Sequence, residues 1–179
     1  VIEAAHKLGI HIITCDYLPD NYAHQFSDEY CNLSIIDKDA VLKKAKELKI
    51  DGIMSFACDP GVVTAAYVAE KMGLPSCGSY KSVSILQNKG LFRKFLTENG
   101  FTVPTARSYY SISQALSEKN LFKNSVIVKP VDSAGSKGVT RVDSMEKLES
   151  SIKHALDFSH CSEFIIEDLK NELSYQECK

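Results

Sequence analysis

Residues 126–142 read VIVKPVDSAGSKGVTRV: a strand, a lysine, a loop of small residues and a second strand. Ser133, Gly135, Ser136 and Gly138 leave the backbone bare, so amide N–H groups in the loop can come close to phosphate oxygens. Lys129 stands near the end of the first strand, where its ammonium adds a fixed cation beside the same anion. These are the parts needed to hold a triphosphate. Gly and Ser are also ordinary turn residues, so the same string reads equally as a β-hairpin with a soft turn. The remainder of the chain has to decide between the two.

The chain has 179 residues, enough for one good core or two small ones. Its 44% hydrophobic and 25% charged residues are an ordinary globular composition. The 21 basic and 23 acidic residues are spread evenly, which argues against a nucleic-acid surface. No apolar run approaches the ~20 residues of a membrane span, and the N-terminus carries no signal-peptide pattern. Six cysteines (Cys15, Cys31, Cys58, Cys77, Cys161 and Cys178) form no CxxC pair and have no His at zinc-finger spacing. Scattered cysteines of this kind fit a reducing cytoplasm, with most of them expected as small buried hydrophobes.

Val1, Ile2, Ala5 and Leu8 share one face of what reads as the second half of an amphipathic helix, closed by Gly9. An uncapped helix at residue 1 leads us to expect an element before it. Leu173–Lys179, which begins strand-like and stops, leads us to expect more after it. Between these ends we expect strands at 10–15, 30–35, 52–57 and 74–77. We expect helices over 39–48 and from Asp59 to about Met72, the second with Asp59 as N-cap, Pro60 at N1 and Gly73 at its end. Such alternation calls for a parallel sheet with flanking helices, half of a doubly wound fold. Ligands bind at strand ends in such folds, where Asp16 and residues 57–59 lie. Asp16 reads either as a ribose or amine contact or as a turn residue.

From Ser82 the character changes. Leu91, Phe92, Phe95 and Leu96 form the apolar face of a basic helix carrying Lys89, Arg93 and Lys94. Gly100 closes it, and Val103–Pro104 is an extended connector, so a domain boundary falls just before the helix. Strands follow at 107–110, 125–131, 138–142 and 163–168. One helix is expected to be capped by Ser113 and to run to Lys119. Another begins at Ser144 and buries Leu148, Ile152, Ala155, Leu156 and Phe158.

Four patterns, in order, carry a resemblance: AAYVAEKMGLPSCGS (65–79), NKGLFRKFLTENGFTVP (88–104), VIVKPVDSAGSKGV (126–139) and EFIIEDLKNELSY (163–175). With these the chain resembles the ATP-grasp superfamily over nearly all its length, and within it the carbamoyl-phosphate-synthase-like ligases. The resemblance implies an α/β fold: a partial doubly wound, Rossmann-like parallel sheet over 1–81 (the pre-ATP-grasp domain, its first strand missing), then an incomplete α+β ATP-grasp subdomain over 82–179. It implies that Lys89 lies near the α-phosphate and Lys129 against the α/β-phosphates and the purine edge. Ser133, Ala134, Gly135, Ser136, Lys137 and Gly138 match the loop that folds over the β- and γ-phosphates. Glu167 opens the adenine hinge, the backbone of Asp168 and Leu169 meets the base, and Glu172 accepts the ribose hydroxyls.

The same residues have plainer readings. Lys89 and Arg93 also fit the wet face of a helix, Lys137 a solvated loop lysine, Glu167 a strand-end acid and Glu172 a turn residue. By resemblance the complete protein is a cytoplasmic ATP-dependent ligase that phosphorylates a carboxylate and passes the acyl group to an amine or other nucleophile. It would bind ATP and Mg²⁺, with the metal ligands and catalytic residues beyond Lys179, so that this stretch alone is expected to be inactive. Homodimers, and no nucleic-acid or membrane partner, fit the same picture. Two alternatives stand beside it: a nucleotide-binding module without ligase chemistry, and a nicotinamide-dinucleotide oxidoreductase. The second leaves everything after Ser82 unexplained. The acid and the amine are not legible here.

Overall fold

Ile13, Thr14, Cys15 and Asp16 pair in parallel register with Glu29, Tyr30, Cys31 and Asn32. This is the parallel sheet of the first of two units into which the chain divides, Val1–Val83 and the part from Ser84 onward. The computed structural model describes residues 1–169. Glu172 and the expected final strand lie outside the described residues.

In the first unit the order is α1 (Ile2–Lys7), β1 (Ile13–Asp16), β2 (Glu29–Asn32), α2 (Lys38–Leu48) and α3 (Asp59–Met72), with α4 (Tyr80–Gln87) running across the junction. Val41 and Ala45 of α2 pack on Val68 of α3, ringed by Cys15, Leu42, Ile50, Ile53, Tyr67 and Met72. Asp37 caps α2, its carboxylate accepting from Ala40 N at 3.0 Å. Cys58, not Asp59, is the α3 N-cap, and Asp59 is already helical ahead of Pro60. Gly73 ends α3 at φ 68°, a left-handed conformation glycine adopts at no steric cost.

Residues 52–57 and 74–77, expected as strands, have no ladder partner among the described residues. A strand exists only beside a hydrogen-bonded neighbour, whereas an apolar run needs only a core to face. Ile53 has one in the α2–α3 cluster. Asp16 serves its own loop, accepting from Leu18 N at 3.1 Å and Asn21 Nδ2 at 3.0 Å.

The second unit contains α5 (Lys89–Glu98), β3 (Ala106–Tyr109), α6 (Ile112–Ser117), β4 (Val126–Pro130), β5 (Thr140–Val142), α7 (Leu148–Leu156) and β6 (Phe164–Asp168). Its strands form an antiparallel sheet in the order β3-β6-β4-β5. The chain is therefore mixed α/β, a parallel pair with helices followed by an antiparallel sheet with helices.

Side chains alternate along strands, so each face has its own set. One face carries Tyr109, Val126, Val128, Val142, Phe164 and Ile166, packed on Leu148, Ile152 and Ala155 of α7. Each apolar side chain so buried contributes about 1.5–3 kcal/mol. By register, the other face carries Ser108, Ile127, Lys129, Ile165 and Glu167. Ser111 rather than Ser113 caps α6, accepting from Gln114 N. Ser144 precedes a short 3-10 turn, and α7 ends at Leu156, so Phe158 falls beyond it. Among the described residues no helix is long and apolar enough to cross a membrane.

Candidate functional site

Lys129 stands opposite Ile165, and Ile127 opposite Glu167, in the β4–β6 pair. Lys129 and Glu167 are thus diagonal neighbours on one face, within reach of each other. Lys129 Nζ donates to Glu167 Oε2 at 2.6 Å. From α5, Arg93 Nε donates to the other oxygen, Oε1, at 2.7 Å. The Glu167 side chain is 7% exposed, Lys129 18% and Arg93 29%. Burial alone pushes the Glu167 carboxyl up, but the hydrogen bonds and charges of Arg93 and Lys129 outweigh it and hold the group below its ordinary value. One carboxylate between two cations leaves a single positive charge in excess.

The placement of α5 follows from its first turn. Asn88 caps the helix, accepting from Leu91 N at 2.9 Å. Lys89 and Arg93 are four residues apart, hence on one helical face. Lys89 N donates to Val131 O at 3.0 Å, and its Nζ donates to Ser133 O at 2.6 Å. Gly90 faces β3, where an added Cβ would overlap the Ser108 hydroxyl. Only glycine lets the helix lie so close, and that closeness carries Arg93 to Glu167 on the neighbouring strand.

The loop between β4 and β5 is anchored at both ends. At its start, the Asp132 carboxylate accepts from Ser159 Oγ at 3.1 Å, His160 N at 2.9 Å and Cys161 N at 2.8 Å. At its end, Gly138 is buried at φ 69° against Pro130 and Phe158. Ser133 and Ala134 are half-buried, and the tip, Gly135, Ser136 and Lys137, is exposed. Gly135 (φ 66°) and Ser136 (φ 58°) are both left-handed. The tip's turn bonds are long, Lys137 N to Ala134 O and Val139 N to Ser136 O both at 3.4 Å. The loop thus has fixed roots and a loosely held crown.

At the end of β6, Asp168 N donates to Thr105 O at 2.8 Å and Leu169 N to Ser125 O at 2.7 Å. Both N–H groups are taken up by the residues that lead into β3 and β4. Asp168 Oδ1 is buried without a hydrogen-bond partner among the described residues.

The structure therefore joins Lys129 and Glu167 on the sheet face that α5 covers, ties Lys89 of α5 to the loop root at Ser133, and leaves Lys137 at the exposed crown. Arg93 and Asp132 join them without having been assigned a site role from the sequence. The i, i+4 spacing of Lys89 and Arg93 was the available signal for the first. Nothing local marks the second, whose partners lie 27 to 29 residues on. Among the described residues no group of three or more His, Cys, Asp or Glu side chains is placed to hold a metal ion.

A family model of the ATP-grasp N-terminal domain matches residues 2–76, and one of the ATP-grasp domain matches residues 86–168. The chain belongs to the ATP-grasp family. This ATP-grasp chain is similar to the formate-dependent phosphoribosylglycinamide formyltransferase of Synechococcus sp. (strain WH7803), 29% identical over 158 residues that make up 87% of this chain and 40% of that protein. The enzyme of the same name from Parasynechococcus marenigrum (strain WH8102) is 26% identical over 153 residues, 84% of this chain and 39% of that protein. The chain spans about 40% of the length of these curated relatives.

Among solved ATP-grasp neighbours, L-amino acid ligase from Bacillus licheniformis superposes with a TM-score of 0.66 at 22% identity, covering 94% of this chain and 40% of that one. N5-carboxyaminoimidazole synthetase from Staphylococcus aureus, complexed with ADP, superposes with a TM-score of 0.68 at 18% identity, covering 95% and 44%. These likenesses establish a shared fold.

Proposed function

We propose that this chain is the ATP-binding part of an ATP-dependent ligase that activates a carboxylate as an acyl phosphate and transfers the acyl group to an amine. The observation that carries this reading is the pair of lysines that lead into one Gly/Ser loop: Lys129 on β4, which runs into the loop, and Lys89 on α5, whose Nζ donates to Ser133 O at its root at 2.6 Å. The two ammonium groups offset phosphate charge. The left-handed Gly135 and Ser136 open the crown for close approach of backbone amides to phosphate oxygens. Because the N–H groups of Asp168 and Leu169 already donate to Thr105 O and Ser125 O, we assign the contact with the base to backbone carbonyls of this segment. Acceptors suit the exocyclic amino group of adenine. The ribose role of Glu172 rests on the family resemblance.

In the reaction a carboxylate oxygen attacks the γ-phosphorus, the bond to the β-phosphate oxygen breaks, and ADP leaves. The amine then attacks the acyl carbon and phosphate departs. What these residues contribute is positioning and charge stabilisation. The family resemblance also implies Mg²⁺, but the described residues do not form a site for it, and no step is routed through it. The curated relatives act by name on formate, so a small carboxylate is the first acid to test, and a homodimer is the first assembly.

The test is calorimetry of the full-length protein with ATP and Mg²⁺, followed by assay of ADP release with formate and with candidate amines. We expect saturable ATP binding and ADP release that depends on the acid. Absence of ATP binding overturns the proposal. Binding with no acid-dependent turnover reduces it to a nucleotide-binding module.

A further inference from the structure

We propose that Arg93 is a positioning residue for nucleotide binding, acting through Glu167 to keep the Lys129 ammonium available to the phosphates. This inference rests on the ATP-binding reading above and adds a residue to it. Arg93 sits on neither the loop nor the hinge. It reaches the site because Gly90 lets α5 lie against β3, which brings Arg93 to Glu167 across 74 residues of sequence.

The charge balance gives it a role. Glu167 is buried and ionised, and each of its oxygens takes one cation, Arg93 on Oε1 and Lys129 on Oε2. The groups facing it are Lys129 from β4 and Arg93 from α5, with Lys89 on the same helix face, while β3 presents only Ala106 and Ser108 by register. With Arg93 in place, Lys129 shares the carboxylate and the cluster keeps one net positive charge. Without Arg93, a buried carboxylate has Lys129 as its single partner. The pair is then neutral, and a triphosphate has to compete with Glu167 for the same ammonium. Protonating Glu167, or making it uncharged by substitution, would release Lys129 again.

The test compares wild type, R93M, R93K, E167Q and the R93M/E167Q double variant of the full-length protein, each confirmed folded by circular dichroism and thermal melting. The probe is ATP, by calorimetry, at pH about 8 and about 5.5. We expect R93M to bind ATP about tenfold to a hundredfold more weakly at the higher pH, with partial recovery in R93K. The ratio of R93M to wild-type affinity should rise toward the lower pH, because the variant loses the Arg93 charge that holds the Glu167 carboxyl down while burial still pushes it up. In the E167Q background the R93M change should cost about twofold or less. A merely structural arginine would give neither the pH recovery nor the loss of effect in E167Q. R93M binding as tightly as wild type, or an equal loss at both pH values and in both backgrounds, overturns this inference alone. A wild-type protein that binds no ATP overturns both readings.

Discussion

Gly138 leaves no room for a side chain beside Phe158: a Cβ on it would stand 3.1 Å from Phe158 Cβ and 3.1 Å from Pro130 Cδ. Its φ of 69° also lies in the left-handed region. The contact closes the far root of the loop against the residues that follow α7. Replacing Gly138 by alanine combines left-handed strain of roughly 1–2 kcal/mol with crowding of similar size. We expect G138A to lose about 2–4 kcal/mol in urea denaturation. A variant as stable as wild type would show that neither the backbone conformation nor the contact with Phe158 matters at this position.

The other root depends on Asp132. Its carboxylate accepts from Ser159 Oγ and from the N–H groups of His160 and Cys161. Hydrogen bonds to a charged acceptor contribute about 1.5–3 kcal/mol each before partial rehydration of the freed donors. D132A should therefore cost about 2–3 kcal/mol, with D132N retaining part because one amide oxygen still accepts. Hydrogen exchange makes the result specific. The amides of His160 and Cys161 should exchange faster in D132A, while those of β4 change only with global stability.

Glu167 sets an acid limit. Its carboxyl is held below the ordinary 4.5 by Arg93 and Lys129, against the upward push of burial. A carboxyl with a depressed folded value adds stability that is fully present above its unfolded value and is lost as pH falls through the folded one. Wild type should therefore exceed E167Q by about 1–3 kcal/mol near neutral pH. The gap should shrink as pH falls from about 5 to about 3. Urea titrations of both proteins across that range check the sign. A gap that stays constant would mean the pair is not titrating.

Much of this was readable from the chain, and the exceptions have physical reasons. Strict alternation places Lys129 on the face opposite Val126 and Val128, and a period of 3.6 puts Lys89 and Arg93 together. Both are local rules, and both give the face on which the structure places these charged side chains. That Glu167 is the partner of both Lys129 and Arg93 depends on strand order β3-β6-β4-β5, which no local pattern encodes. The apolar run 52–57 misled because a ladder needs a hydrogen-bonded neighbour that composition does not supply: Ile53 packs on the α2–α3 cluster while Met54 and Phe56 are exposed. The cap of α6 shifted from Ser113 to Ser111 because two serines offered nearly the same hydroxyl, and geometry selected the one two residues earlier.

The cysteines give a reactivity order. Burial raises the Cys15 thiol to about 11, helped by the neighbouring Cys31 on the paired strand. At pH 8 a thiol of that kind is about one part in a thousand thiolate, and thiolate is the nucleophile. Cys31 is buried, whereas Cys58 and Cys77 are exposed. Iodoacetamide at pH 8 should therefore alkylate Cys58 and Cys77 first, and leave Cys15 and Cys31 unmodified until urea unfolds the first unit. Peptide mass mapping over time reads the order directly. Early labelling of Cys15 in the folded protein would mean that the β1–β2 pair opens on the time scale of the reaction, and that its packing against α2 and α3 is weaker than its burial implies.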